Sequence, residues 1–183
     1  TLATNSVDSA ELIDGAVDAA HLASGVGGKG LQAVQFSYGG TATTYAVDTG
    51  FVDTPLTVDI TPSSASSKVL VMLYIGKVSC ATVNRTTNFK LVRESTDLSI
   101  GNAQGNRLRV SFASTIESNT EATRSESMSY LDSPSSTSAL TYKLMWAGHN
   151  GEQHTFNYAG NSDSTDAPHS RAASNIIVME IGA

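Results

Sequence analysis

The chain has 183 residues, of which 40% are hydrophobic and 15% are charged, and its net charge is −6. This length fits one ordinary domain with a small appendage, and an acidic balance without a basic stripe argues against a nucleic-acid-binding protein. The single cysteine, Cys80, excludes an intrachain disulfide. No stretch approaches the roughly 20 apolar residues of a membrane span, so we expect no membrane insertion. The acidic charge balance leads us to expect no nucleic-acid partner.

The first predicted element is a ten-residue repeat at 6–15 that recurs at 16–25. Its apolar residues are spaced by five, which fits neither the 3.6-residue period of a helix nor the alternation of a strand. Each unit instead predicts one short helical turn, which Asp8 and Glu11 cap in the first copy. Such turns cannot form a core alone, so we expect copies of the chain to pack around them as a stalk. The predicted contacts between chains in this stalk are Leu2, Val7, Leu12, Val17 and Leu22.

A glycine-rich joint at 25–30 separates the repeat from the rest of the chain. We therefore predict two parts, a stalk with its joint at 1–30 and a β domain at 31–183. Strand patterns separated by turn clusters fill the second part. The predicted strands are 31–38, 56–60, 69–75, 88–93, 107–112, 127–131, 140–146, 154–158 and 176–181.

Nine short strands at roughly regular spacing predict a mainly β fold, either a sandwich or a jelly roll. The segment 69–75 is a continuous apolar run, which is typical of a strand buried on both faces. We expect this run and the segment 176–181 to supply much of the core. Cys80 in such a pattern predicts a small buried core residue.

Several short phrases together resemble the C-terminal region of a tailed-bacteriophage tail fibre. The repeat follows the pattern Val-Asp-x-Ala-x-Leu-x-x-Gly, as in phage fibre and baseplate-associated proteins. The later phrases are Leu-Thr-Val-Asp-Ile-Thr-Pro at 56–62, Ser-Lys-Val-Leu-Val at 67–71, Leu-Asp-Ser-Pro at 131–134, Thr-Tyr-Lys-Leu at 141–144 and Val-Met-Glu-Ile at 178–181. The resemblance implies a homotrimer with a jelly-roll-like tip, similar in shape to the heads of tumour-necrosis-factor and C1q proteins.

This resemblance also implies a location on the virion, as part of an extracellular phage tail. The partners would be other tail or baseplate proteins on the N-terminal side and a host surface glycan or protein at the tip. Tyr142, Leu144 and Trp146 share one face of a predicted strand. Two interpretations of that face stay open: contact near the threefold axis of the trimer, or core within one subunit.

No catalytic or metal-binding motif emerges from the sequence. The segment 149–154 holds two histidines and a glutamate, but not in the His-Glu-x-x-His order of a zincin helix. Asp163, Asp166 and His169 lack the spacing of a calcium loop, and no Gly-x-Ser-x-Gly motif is present. We therefore predict that the chain is not an enzyme and has no cofactor or metal. A glycan-cleaving enzyme, a third interpretation, would need a pair of catalytic carboxylates.

We expect the receptor to be contacted by polar loops at the tip. Each contact is weak, but three copies of the site on one particle bind with avidity. Glycan recognition uses asparagine, aspartate and aromatic side chains, so polar loop residues of this kind are the candidates. They are Asn84, Asn102, Asn106, His149, Asn150, Asn161, Asp163 and His169. The alternative is a head fibre, a decoration protein or a baseplate protein that makes no receptor contact.

Overall fold

The computed structural model describes residues 29–46, 50–117, 122–148, 150–159 and 170–183. Over these ranges the chain consists of β-strands and their connections, without a helix. The mainly β prediction is therefore confirmed, and the described ranges hold no helix that could cross a membrane. The predicted stalk, with Leu2, Val7, Leu12, Val17 and Leu22, lies outside the described residues.

Eleven strands form in the described part of the chain. They are β1 (Gly30–Tyr38), β2 (Ala42–Thr44), β3 (Val52–Ile60), β4 (Lys68–Cys80), β5 (Arg85–Arg93), β6 (Thr96–Leu98), β7 (Phe112–Ile116), β8 (Arg124–Asp132), β9 (Leu140–Ala147), β10 (His154–Phe156) and β11 (Ser174–Ile181). Alternation and β-branched residues predict most of these strands, because a half-buried sheet places every second side chain in the core.

The strands form two antiparallel sheets that pack face to face as a sandwich. In one sheet, the β4 sheet, the order is β8-β4-β11-β1; in the other, the β5 sheet, it is β7-β5-β9-β3. β4 is long enough to pair with β11 along its first half and with β10 near its end. The short strand β2 pairs with β10 and extends the β4 sheet, while β6 pairs with β5 beyond β7.

The core lies between the sheets and takes alternate residues from each strand. In β4, every second residue from Val69 to Ile75 is at most 3% exposed. The residues between them point away from the core: Leu70 and Met72 are half-buried, and Tyr74 is 44% exposed. The segment 69–75 is therefore core on one face, whereas its second face is an outer surface of the single chain.

Tyr142, Leu144 and Trp146 are at most 2% exposed within one chain. They lie between the two sheets, where Trp146 packs edge-on against Phe156 with ring centroids 5.6 Å apart. A side chain without exposed area in the single chain has no surface to offer a neighbouring chain. The structure therefore places these residues in the core of one subunit, not at a contact between subunits.

The predicted strand at 107–112 is wrong except for Phe112, with which β7 begins. The hydroxyl of Ser111 accepts a hydrogen bond from the Leu91 amide at 2.9 Å and donates one to the Leu98 carbonyl at 2.8 Å. This side-chain bridge occupies the backbone groups of β5 and β6 that a further strand would need. The preceding residues therefore form a connection at the edge of the β5 sheet.

The two ends of the sandwich differ in chemistry. At one end, here called the carboxylate end, Glu180 and Asp132 flank Val69 on its two neighbouring strands, and both acids are at most 5% exposed. The Gly182 amide donates to the Lys29 carbonyl at this end, at 2.7 Å. The opposite end, the loop end, carries the β4–β5 and β9–β10 connections.

Candidate functional site

The loop end brings two of the predicted receptor residues together. Asn84 and Asn150 are both exposed and both have left-handed backbone conformations, with φ of 57° and 61°, which asparagine tolerates better than most residues. Their loops are tied by a hydrogen bond from the Ala81 amide to the Gln153 carbonyl, at 2.9 Å. Thr82, whose hydroxyl donates to a Glu152 carboxylate oxygen at 2.8 Å, adds a second tie.

The other predicted receptor residues are not part of this cluster. Asn102 and Asn106 are exposed in the β6–β7 connection, which is tied to β5 through Ser111 at the middle of that strand. They therefore lie beside the β5 sheet, separate from the loop end. His149, Asn161, Asp163 and His169 lie outside the described residues.

Beneath the loop end the core becomes polar. His154 is fully buried between Thr87, whose hydroxyl lies 2.7 Å from its Nδ1, and Cys80, whose Sγ lies 3.8 Å from its Nε2. Gly148 permits this packing, because a Cβ there would lie 2.1 Å from the His154 ring. The prediction that Cys80 is buried is confirmed.

A cysteine beside a histidine invites comparison with a nucleophile and its base. The Cys80 side chain is fully buried, and burial raises the pKa of its thiol. A thiol in that state is protonated at neutral pH and is a poor nucleophile. The pair therefore acts as a hydrogen-bonded part of the core.

Arg85 stands at the rim of this polar region. It lies opposite Ile116 in the β5–β7 ladder, and opposite residues of an antiparallel pair share one face of the sheet. Because Ile116 is 1% exposed, Arg85 begins on the inward face while its side chain remains half-exposed. Sequence reasoning missed this residue; the alternation Arg85, Thr87, Phe89 is the signal that could have placed it on the core face.

The carboxylate end holds two acids in different settings. Glu180 accepts hydrogen bonds from Gln32 Nε2 at 2.6 Å and from the amide and hydroxyl of Ser63 at 2.7 Å each. Burial alone would raise the pKa of Glu180, but the hydrogen bonds from Gln32 and Ser63 outweigh it and lower the pKa to about 2. Glu180 is thus an ionised carboxylate held by neutral donors.

Asp132 lies in a charged cluster with Arg93 and with the Tyr142 hydroxyl, which donates to it at 2.7 Å. Burial, followed by the hydrogen bond to Asp132, raises the pKa of Tyr142. Burial would lower the pKa of Arg93, but its hydrogen bond to Asp132 raises it instead. Both acids are therefore committed to internal partners and serve to close this end of the sandwich.

The outer faces of the two sheets contrast strongly. On the β4 sheet, neighbouring outward residues are apolar: Leu70 pairs with Met179 and with Leu131, and Met72 pairs with Ile177. Leu131 is 48% exposed. We call this set the apolar outer face.

On the outer face of the β5 sheet, by contrast, charged pairs dominate. Lys143 contacts Asp53 at 2.9 Å and Lys90 contacts Asp97 at 2.6 Å, while Asp59 accepts a hydrogen bond from Thr141. Exposed ion pairs add little stability, but they keep a face compatible with water. This face therefore suits solvent, whereas the apolar outer face suits burial.

No cluster of three histidine, cysteine, aspartate or glutamate side chains that could hold a metal ion occurs in the described ranges. Glu152 and His154 are close in sequence but make different contacts. Glu152 accepts a hydrogen bond from Thr82, whereas His154 is buried and hydrogen-bonded to Thr87. What the described residues present is therefore a polar loop end and an apolar outer face. No protein-family model matches the chain, and no curated protein matches it significantly.

Proposed function

We propose that this chain is the trimeric tip of a bacteriophage tail fibre and that it attaches the virion to the host cell surface through its loop end. The observation that carries the proposal is the apolar outer face, which the described residues of one chain leave without cover. The tail-fibre resemblance of the repeat and of the later phrases supports the assignment to a phage.

The order of the strands supports a jelly-roll fold for this tip. Successive main strands alternate between the sheets, from β1 to β3, β4 and β5 and then from β7 to β8, β9 and β11, and only the step from β5 to β7 stays in one sheet. Two four-stranded sheets related in this way form the double Greek key of a jelly roll. β2, β6 and β10 are short additions to that frame.

The apolar outer face supports self-association. Leu70, Met72, Ile177 and Met179 are uncharged neighbours at the centre of the face, and depletion of charge is what distinguishes the core of a subunit interface. Strands that are apolar on both faces are typical of sheets covered on both sides. Turning this face towards a threefold axis in each of three chains would supply the second cover from copies of the same face.

The placement of the chain within the sandwich supports attachment through the loop end. Lys29 lies at the carboxylate end, next to Gly182, so the segment that leads to the predicted stalk joins there. Asn84 and Asn150 lie at the other end of the sandwich. A trimer would therefore present three loop ends together, away from the stalk, and three weak sites on one particle bind with avidity.

The test is the molar mass of the full chain, measured by light scattering during size-exclusion chromatography at two concentrations. We expect three times 19.1 kDa. Met72→Glu, on the apolar outer face, should shift the mass towards that of the monomer. Met145→Glu is the matched control, because Met145 is also half-buried but lies on the β5 sheet, opposite Asp53 and Lys90.

A monomeric wild-type chain would contradict the proposal. So would equal effects of the two substitutions, since the charge would then act through stability and not through the interface. Circular dichroism of both variants separates these cases, because an unfolded variant loses its β signal. Adsorption of the labelled trimer to a panel of bacterial strains tests attachment; a trimer that binds none of them would favour the decoration-protein or head-fibre alternative.

A further inference from the structure

Two buried polar atoms near the loop end have no hydrogen-bond partner among the described residues: Arg85 Nε and Ser114 Oγ. They are neighbours on the inward face of the β5 sheet, since Arg85 pairs with Ile116 and Thr87 pairs with Ser114. Ser114 is 2% exposed. Unpaired groups of this kind are rare in folded proteins, because each costs the solvation that it has lost.

The guanidinium group of Arg85 has no carboxylate partner among the described residues. Its one hydrogen bond there runs from Nη1 to the carbonyl of its neighbour Asn84, at 3.3 Å, whereas a guanidinium carries five donors. Arg93 and Arg124, by contrast, each contact a carboxylate, that of Asp132 and that of Glu117. The terminal nitrogens of Arg85 thus keep unused donors at the half-exposed rim of the sandwich, next to the buried Nε.

Hydrogen-bonding groups suited to a sugar surround this rim. Asn84 is exposed beside Arg85, and Asn150 is exposed in the neighbouring loop. Glu152 accepts a hydrogen bond from Thr82, which holds its carboxylate in the loop. Arg85 and Glu152 both lie close enough to Cys80 to influence the pKa of its thiol, in opposite directions.

We propose that the loop end binds the carboxylate group of an acidic sugar, a uronic or sialic acid, through Arg85. The proposal rests on the function proposed above and names the ligand class of its receptor site. A planar guanidinium pairs with a planar carboxylate through two parallel hydrogen bonds, which would use the donors of the two terminal nitrogens of Arg85. The hydroxyls of the same sugar would meet the amides of Asn84 and Asn150, and Ser114 would donate to the bound carboxylate directly or through a water molecule.

The experiment compares two ligands that differ only in the charged group, methyl β-D-glucuronide and methyl β-D-glucoside, by saturation-transfer NMR with the full chain. A parallel arm uses the methyl glycoside of N-acetylneuraminic acid, which distinguishes the two sources of a sugar carboxylate. We expect at least one acidic glycoside to bind and the neutral glucoside to bind at least tenfold more weakly, as fits the loss of a hydrogen-bonded charge.

Arg85→Gln removes the charge and should weaken binding of the acidic glycoside by about 10-fold to 100-fold. Arg85→Lys keeps the charge but loses the fork, so an intermediate affinity is expected. Arg107→Gln is the matched control, because Arg107 is exposed in the β6–β7 connection and should leave binding unchanged. Thermal melting of each variant checks that the fold is intact.

The proposal is overturned if neither acidic glycoside binds, if the neutral glucoside binds equally, or if Arg85→Gln binds like the wild type. Its failure is distinct from a failure of the proposed function. A trimer that adsorbs to cells equally with and without Arg85 would leave the fibre-tip function in place and remove only the acidic-sugar site. A monomer that adsorbs to no cells would remove the fibre-tip function, whatever the glycoside results.

Discussion

Glu180 offers the sharpest test of how the carboxylate end stabilises the sandwich. Its carboxylate is fully buried and accepts three hydrogen bonds, from Gln32 and from the amide and hydroxyl of Ser63. These donors join β1 and the β3–β4 connection to β11. Glu180→Gln preserves the shape of the side chain but replaces one accepting oxygen with an NH₂ group. That group is itself a donor, so it cannot accept the hydrogen bonds that the replaced oxygen accepted.

The pKa of Glu180 gives the magnitude and the sign. A pKa lowered from 4.5 to about 2 means that the ionised form favours the folded state. The contribution is present above pH 4.5 and is lost as the pH falls towards 2. The full shift corresponds to at most about 3 kcal/mol. Because the glutamine of Glu180→Gln keeps one accepting oxygen, we expect a cost of about 2 kcal/mol at pH 7.

The assay is urea unfolding of the wild type and of Glu180→Gln at pH 7, 5, 4 and 3, followed by circular dichroism. The difference in the free energy of unfolding should shrink as the pH falls, because below pH 4.5 the Glu180 carboxyl of the unfolded wild type binds a proton while that of the folded wild type stays ionised, and the variant does not titrate at this position. Glu117→Gln is the control, since Glu117 is 69% exposed with only a 3.5 Å ion pair, and should cost less than about 0.5 kcal/mol. A difference for Glu180→Gln that is constant from pH 7 to pH 3 would refute the reasoning.

Two further predictions concern the packing around β10. Gly148→Ala should destabilise the fold by about 2 kcal/mol, because the new Cβ would lie 2.1 Å from the buried His154 ring; Gly101→Ala, with no atom within 4 Å, should be nearly neutral in the same thermal melt. Asn157→Gly keeps the left-handed backbone, at φ 68°, but removes three side-chain hydrogen bonds, among them one from Ser174. We expect it to cost about 2–3 kcal/mol in urea unfolding, and a loss below 0.5 kcal/mol would show that these bonds are replaced by water.

The strands were predictable because burial of one sheet face dictates alternation in the sequence. That rule fails where side chains replace backbone pairing, as at 107–112, where Ser111 bridges Leu91 and Leu98. Alternation also says which residues share a face but not what covers it. For this reason the face of Tyr142, Leu144 and Trp146 allowed two interpretations until their burial within one chain was known.

The candidate site was only partly predictable, because its residues meet through pairings distant in sequence. Asn84 and Asn150 are recognisable as polar loop residues, but only the tie between Ala81 and Gln153 places their loops together. Arg85 is different in kind: its inward position follows from the register of β5 on β7. Such registers depend on the whole sheet and are not encoded in any short segment.

The ladder between β1 and β11 has a mechanical consequence. It runs from Gly30, opposite Ile181, to Tyr38, opposite Ser174, with hydrogen bonds perpendicular to the strands. A pull on Lys29 that is resisted at the loop end would act along β1 and load these bonds in shear. They would then have to break together, whereas a pull across the sheet would open them one after another. The β1–β11 ladder is thus oriented to withstand tension along the direction of β1.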